Sequence, residues 1–109
     1  MSPRFAKTPK PPYWVVVLTA QRKDPDPEYE AMGAKMLEIA AKQPGFLGVE
    51  AAYDAEGFGV TAVYHTDDAS ILAWKAKADH LVAQKLGKER WFAHDEARVA
   101  RAERAYGGP

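Results

Sequence analysis

The residues YWVVVLTAQ, from Tyr13 to Gln21, are the stretch that decides the fold. Runs of β-branched and aromatic residues are typical of strands, and the polar residues from Arg22 onward end this one. Both alternating sets of side chains are apolar, so we predict a strand that is covered on both faces. The 109 residues have room for one domain. Because both faces of this strand are apolar, the sheet that contains it must pack against other structure on each side.

The next segments indicate a helix followed by a hairpin. Asp26 is a good N-cap and Pro27 a good first helical residue, and Pro44–Gly45 ends the helix. Its predicted buried stripe consists of Tyr29, Met32, Met36, Ile39 and Ala40. Phe46–Tyr53 and Phe58–His65 then have strand composition on either side of a tight turn.

A second helical pattern begins after Asp67 or Asp68, either of which could cap it, and the stretch from Ile71 to Trp91 carries it. Its apolar stripe is Ile71, Trp74, Ala78, Leu81 and Val82. The His80 side chain has two alternative orientations. On one straight helix it points roughly 120° away from Trp74, toward the flank. If the helix instead breaks near Asp79 and restarts there, His80 turns toward the same cavity as Trp74.

The last segment, Glu96 to Tyr106, fits two structures. Its alanine, arginine and glutamate favour a helix, whereas its alternation permits a charged edge strand. A fourth strand completes the split βαβ pattern, so we predict a strand. The fold class is then α+β: a ferredoxin-like βαββαβ domain over residues 13–109, with an antiparallel four-stranded sheet.

A homodimer follows from the sheet. Two helices on one face leave the other face bare, and that face is apolar in the first and third strands. Monomers rarely expose apolar patches of several hundred Å². We therefore predict that a second copy packs its sheet on this one, face to face.

Composition excludes several classes of protein. Fifteen basic residues balance fifteen acidic ones, so no net charge recruits nucleic acid or an anionic membrane. Cysteine is absent, and no signal-peptide core or membrane-spanning run begins the chain, so we expect a cytoplasmic protein. Residues 1–12 are rich in proline and lysine, and we predict a disordered tail there. Three scattered histidines argue against a metal site.

Three groups of residues resemble the antibiotic biosynthesis monooxygenase (ABM) family. QPGFLGVE, from Gln43 to Glu50, is similar to its PGFLG-type motif. Ile71–Lys75, together with His80, Gln84, Gly87 and Trp91, resembles its second helix and the segment after that helix. Arg98–Val99 and Glu103–Tyr106 are similar to its last strand. The resemblance covers Tyr13 to Tyr106 and implies a dimeric α/β barrel with a pocket between sheet and helices.

The resemblance also implies an activity. Members of that family oxidise aromatic polyketides with oxygen and no cofactor, or bind haem and cleave it. Trp74 matches the tryptophan of the family, and His80 is a possible counterpart of the haem ligand. The asparagine that oxidative members use near the end of the first strand is missing, since this chain contains none. Thr19 or Gln21 would have to replace it.

From these residues we predict a monooxygenase that acts on a small aromatic or quinol-like substrate without a cofactor, with haem as a secondary possibility. Trp74 and His80 are the predicted catalytic residues. The predicted substrate-binding residues are Trp91, Gln84, Tyr64, Tyr53 and Phe92. We expect His65 to be a surface or interface residue and His94 to be packed beside a carboxylate. The alternative is a dimeric protein of the same fold that binds a small molecule without catalysis.

Overall fold

The computed structural model describes residues 4–24, 27–84 and 92–109, except for the side chains of residues 27–29 and 80–84. The elements are β1 (Tyr13–Arg22), α1 (Pro27–Ala40), β2 (Phe46–Tyr53), β3 (Phe58–His65), α2 (Asp68–Gln84) and β4 (Phe92–Ala102). This order is the predicted βαββαβ pattern. No helix within these ranges is long and apolar enough to cross a membrane.

The four strands form one antiparallel sheet in the order β2-β3-β1-β4. β1 is central, which agrees with its apolar side chains on both faces. The predicted ferredoxin-like α+β fold is confirmed. The positive φ of Gly45, 85°, lets the chain turn from α1 into β2, as the Pro44–Gly45 stop signal predicts.

The final strand is longer at its start than the sequence predicts. β4 begins at Phe92, four residues before the expected Glu96, and ends at Ala102 instead of Tyr106. It pairs with β1 from Arg22 opposite Phe92 to Tyr13 opposite Ala102. Pairing along the whole of β1 outweighs the helix propensity of these residues.

α2 is continuous from Asp68 to Gln84, so the predicted alternative of a break near Asp79 is wrong. Nζ of Lys75 lies 2.6 Å from Oδ2 of Asp79, one helical turn away. Asp79 therefore forms an ion pair within the helix and does not cap a new one.

The register divides the sheet into two faces. His65, Val63 and Thr61 of β3 share one face with Trp14 and Val16 of β1. His65 contacts Ser70 at the start of α2, so we call this the helix face. The opposite face carries Phe58, Val60, Ala62 and Tyr64 of β3.

Residues 4–12, where we expect a disordered tail, contact this opposite face. The amide of Ala6 donates to Oε2 of Glu50 at 3.0 Å, and Oγ1 of Thr8 lies 3.3 Å from the hydroxyl of Tyr13. The proline-rich composition of residues 1–12 favours a disordered tail, but it does not reveal that Glu50 on β2 accepts a hydrogen bond from this segment.

Candidate functional site

A cavity of about 300 Å³ lies at one end of the sheet, where the loop after α1 meets the turn between β3 and α2. Its lining residues come from those two segments and the first turns of α2. They are Gln43, Pro44, Gly45, Thr66, Asp67, Ala69, Ser70, Ala73 and Trp74. Small apolar side chains and a few hydroxyl, amide and carboxylate groups face one indole, which suits a small, flat, partly polar ligand.

Trp74 is the predicted catalytic residue that the structure brings to this cavity. It follows Ser70 by four residues on α2, so both side chains lie on the same face of the helix. Trp74 is half-buried, which leaves part of its ring available to a ligand.

Ser70 connects the cavity to a buried imidazole. Its Oγ lies 3.0 Å from Nδ1 of His65, the last residue of β3. His65 is only 2% exposed, and its ring packs edge-on against Phe46 at 6.2 Å. The prediction that His65 is a surface or interface residue is therefore wrong, because the single chain already buries it. The strand end is covered because α2 begins directly over it.

Asp67 holds this corner in place. Its Oδ1 accepts a 2.7 Å hydrogen bond from the amide of Ser70, which is the N-cap geometry. Its backbone carbonyl lies 2.9 Å from Oγ of Ser70. The bond from the Ser70 amide lowers the pKa of the Asp67 carboxyl, so the group is ionised at neutral pH.

The electrostatic state of His65 follows from its position. Burial lowers the pKa of the imidazole, and the nearby Asp67 carboxylate opposes that change only in part. His65 is therefore neutral at pH 7. A neutral imidazole can accept a proton, which is the chemistry of a general base.

Gly45 allows this corner to close. A β-carbon at Gly45 would lie 2.5 Å from both Cβ and Oγ of Ser70, which is too close for any side chain. Together with its positive φ, this contact explains why glycine follows Pro44 here.

Three other predicted site residues do not line this cavity. Tyr64 points to the opposite face of the sheet from His65, because neighbouring strand residues alternate. Tyr53 lies on β2 opposite Gly59, roughly 20 Å along β3 from His65 at about 3.3 Å per residue. Phe92 pairs with Arg22, also toward the far end.

The two candidates for the missing asparagine lie on β1, opposite the end of β3 that is far from His65. Thr19 pairs with Val60, and Gln21 with Phe58. Nε2 of Gln21 donates to the carbonyl of Glu56 at 2.7 Å and to that of Arg22 at 3.1 Å. The Gln21 amide therefore holds the β2–β3 turn in place.

The remaining predicted residues lie outside the part whose side chains are described. His80 and Gln84 belong to α2 by their backbone, and Trp91 falls in residues 85–91. Their assignments stay predictions. His94 is described: its side chain is 74% exposed, with Nε2 3.4 Å from Glu96. It is beside a carboxylate, as predicted, but it is not packed.

The described residues do not fit a haem at this cavity. A histidine that ligates haem iron needs a ring nitrogen that faces open space. His65 is enclosed, and its Nδ1 already contacts Ser70. His94 lies on β4, paired with Gln21 at the far end of β1. The predicted haem ligand, His80, has its side chain outside the described part.

Comparison with known proteins gives one sequence relative and several structural ones. No family model matches the chain. YqjZ, an uncharacterised protein of Bacillus subtilis strain 168, is 35% identical over 100 residues, which are 92% of this chain and 88% of YqjZ. SnoaB, a cofactor-independent oxygenase from Streptomyces nogalater, has a TM-score of 0.72 at 15% identity, covering 87% of this chain and 97% of SnoaB.

A second solved structure carries the same fold. It is described as a "putative antibiotic biosynthesis monooxygenase" from Nitrosomonas europaea, with a TM-score of 0.65 at 15% identity. The match covers 92% of this chain and 96% of that one. At such identities the solved structures establish the fold, and the fold is the one that the sequence motifs imply.

Proposed function

This chain belongs to a family with the ABM fold that includes YqjZ, and we propose that it is a monooxygenase that oxidises a small aromatic substrate without a cofactor. The observation that carries the proposal is the position of Trp74 beside the Ser70–His65 pair at one cavity. The indole offers a surface for a flat ring. The neutral imidazole is the kind of base that such a reaction needs.

The proposed reaction needs no external reductant. A phenol loses its proton, and the ring carbon opposite the resulting oxyanion reacts with O₂. One oxygen atom becomes the second carbonyl of a quinone, and the other leaves as water with the phenolic hydrogen and the hydrogen of the attacked carbon. For 1-naphthol, C₁₀H₈O and O₂ give C₁₀H₆O₂ and H₂O. The substrate supplies all four electrons that O₂ accepts.

We propose that the protein acts as a homodimer. Phe58 and Val60, on the sheet face opposite His65, are 45% and 40% exposed in the single chain. Val15 and Val17 of β1 point to the same face. These side chains form an exposed apolar patch beyond the part of the face that residues 4–12 contact, and such a patch often marks an interface. A second copy offers a sheet of the same shape and twist, which is the natural cover.

One observation favours the alternative, a dimeric protein that binds small molecules without catalysis. The chain has no asparagine, and the amide of Gln21 is bonded to the β2–β3 turn. Neither Thr19 nor Gln21 lines the described cavity. Stabilisation of a developing oxyanion would then depend on Thr66, Ser70 and Gln43.

Oxygen consumption with 1-naphthol and ¹⁸O₂ tests the proposal. We expect uptake of one O₂ per 1,4-naphthoquinone formed and one labelled atom in the quinone. Trp74→Ala should reduce the rate, whereas Leu72→Ala, on the exposed side of α2, should not. Tight binding of 1-naphthol with no oxygen uptake at any pH from 6 to 9 would support the alternative function.

A further inference from the structure

The hydroxyl of Ser70 contacts two groups, and the tautomer of His65 decides which of them receives its proton. Nδ1 of His65 lies at 3.0 Å and the carbonyl oxygen of Asp67 at 2.9 Å. In the tautomer that carries its proton on Nε2, His65 accepts from the hydroxyl, and the oxygen keeps lone pairs for a ligand in the cavity that Ser70 lines. In that state Ser70 can accept a hydrogen bond from a ligand and pass its own proton to the imidazole.

His65 is suited to receive that proton once a ligand is bound. The groups packed around it on β1 and β2, Trp14 and Phe46, carry no charge. The charged group that faces it is Asp67, whose carboxylate favours the imidazolium. A phenolate in the cavity would add a second negative charge near His65, on the other side of Ser70. That charge further favours the protonated imidazole. The base is thus neutral before binding and becomes more basic on binding.

The cavity has room for a small aromatic ligand. Its volume of about 300 Å³ is at the lower end for ligand pockets and accommodates one or two fused rings, and it is open to solvent on one side. A ring that stacks on Trp74 would place a hydroxyl substituent near Ser70, because the two side chains lie one helical turn apart on the same face of α2.

We propose that Ser70 relays the phenolic proton of a one- or two-ring phenol, bound beside Trp74, to Nδ1 of His65. The phenol O–H bond breaks as its proton passes to Oγ of Ser70, while the Ser70 proton passes to His65. The products are a phenolate and an imidazolium, with Ser70 restored. This inference rests on the proposed function, in which the phenolate is the species that reacts with O₂.

Binding of 4-nitrophenol under nitrogen tests the relay without any oxidation, since the phenol and phenolate forms of this probe differ in colour. At a pH below the solution pKa of the probe, we expect a larger phenolate fraction when it is bound than when it is free. Ser70→Ala and His65→Gln should return that fraction to its solution value. Trp74→Phe should weaken binding while the bound probe remains ionised.

Thr61→Val is the matched control, because it removes a hydroxyl from the same strand four residues before His65. It should leave the phenolate fraction unchanged. His65 is buried, so its variant is checked for folding by circular dichroism; Ser70→Ala, at a half-buried position, decides the question if His65→Gln does not fold.

The outcomes separate the relay from the proposed function. Equal ionisation in the wild type and in Ser70→Ala, or no binding of the probe, overturns the relay. If wild-type protein consumes oxygen with 1-naphthol, the relay also predicts that Ser70→Ala lowers kcat about 100-fold or more. Full oxygen uptake by Ser70→Ala refutes the relay and leaves the function standing. Probe ionisation that depends on Ser70, without oxygen uptake, refutes the function alone.

Discussion

Tyr64 donates a 2.6 Å hydrogen bond from its phenol to Oε1 of Glu50, and the pair joins β3 to β2 on the sheet face opposite His65. The second oxygen of Glu50 accepts from the amide of Ala6. The ring of Tyr64 also packs edge-on against Tyr13 at 5.9 Å. A residue that the sequence suggests for substrate binding thus belongs to the contact between residues 4–12 and the sheet.

Removing the Tyr64 hydroxyl should destabilise the protein. In Tyr64→Phe, Glu50 loses a charge-assisted bond at a part-buried position, so we expect a loss of about 1–2 kcal/mol in the free energy of unfolding. Urea denaturation measures it. Tyr53→Phe is the matched control, since Tyr53 is 56% exposed and its change should stay within about 0.5 kcal/mol. Equal stabilities would contradict the role of the Tyr64–Glu50 bond.

The Tyr64 phenol should ionise only at high pH. Burial, followed by the hydrogen bond and charge of Glu50, raises its pKa to about 12. Between the unfolded pKa of about 10 and that value, the unfolded chain loses a proton that the folded chain retains, so stability falls as pH rises. Ultraviolet titration of phenolate absorbance should show a step near this pH that Tyr64→Phe removes and that Glu50→Gln moves to lower pH.

His65 should make the stability of the protein fall in acid, whereas Tyr64 makes it fall in base. Burial lowers the pKa of His65 in the folded chain. Below the unfolded pKa of about 6.5, the unfolded chain therefore binds a proton at this residue that the folded chain does not bind. Stability should therefore fall as pH decreases from about 6.5 toward the folded pKa. Denaturation curves at several pH values check this. In His65→Gln the free energy of unfolding should change less over the same pH range. An unchanged pH dependence would show that His65 is not the group responsible.

Asp67→Ala should weaken the start of α2. The substitution removes the acceptor of the 2.7 Å bond from the Ser70 amide, and the loss of such a cap costs about 1 kcal/mol. Thermal unfolding measures the effect. Asp68→Ala, one residue later in the first turn, is the control and should cost less. If both substitutions have the same effect, Asp67 is not the cap.

Val60→Arg should separate the proposed dimer. The substitution places a charge in the exposed apolar patch of Phe58 and Val60, where an unpaired charge buried in an interface costs several kcal/mol. Sedimentation equilibrium should show a dissociation constant raised at least about 100-fold. Leu72→Arg, on α2 and 61% exposed, is the control and should remain dimeric. A wild-type chain that is monomeric at micromolar concentration would refute the dimer itself.

The fold was predictable because its signals are local. The β-branched run of β1, the Pro44–Gly45 stop and the hairpin turn each depend on neighbouring residues, and the order of elements then required a fourth strand. The bounds of β4 were not predictable. Phe92 to Asp95 have no strong strand pattern, and only pairing with β1 extends the strand to them.

Among the described residues that line the candidate cavity, Trp74 is the one that the sequence predicts. His65 was missed because a histidine at a strand end looks like a surface residue until the following helix is placed over it. Asp67 was a candidate N-cap in the sequence. An N-cap accepts from the amide two or three residues later, so a cap that follows His65 this closely could have indicated that Ser70 lies near the imidazole. Tyr64 and Tyr53 failed to join the cavity because aromatic composition does not reveal which face or which end of a sheet a ring occupies.

The β2–β3 turn, held by the amide of Gln21, lies at the far end of the sheet from His65. Because the chain has no cysteine, Ala55→Cys in that exposed turn would create a unique thiol. A fluorophore attached there would stand roughly 20 Å or more from the ligand by the strand rise. That separation permits energy-transfer measurements of ligand binding, and of subunit exchange in the proposed dimer, without a change at the candidate site.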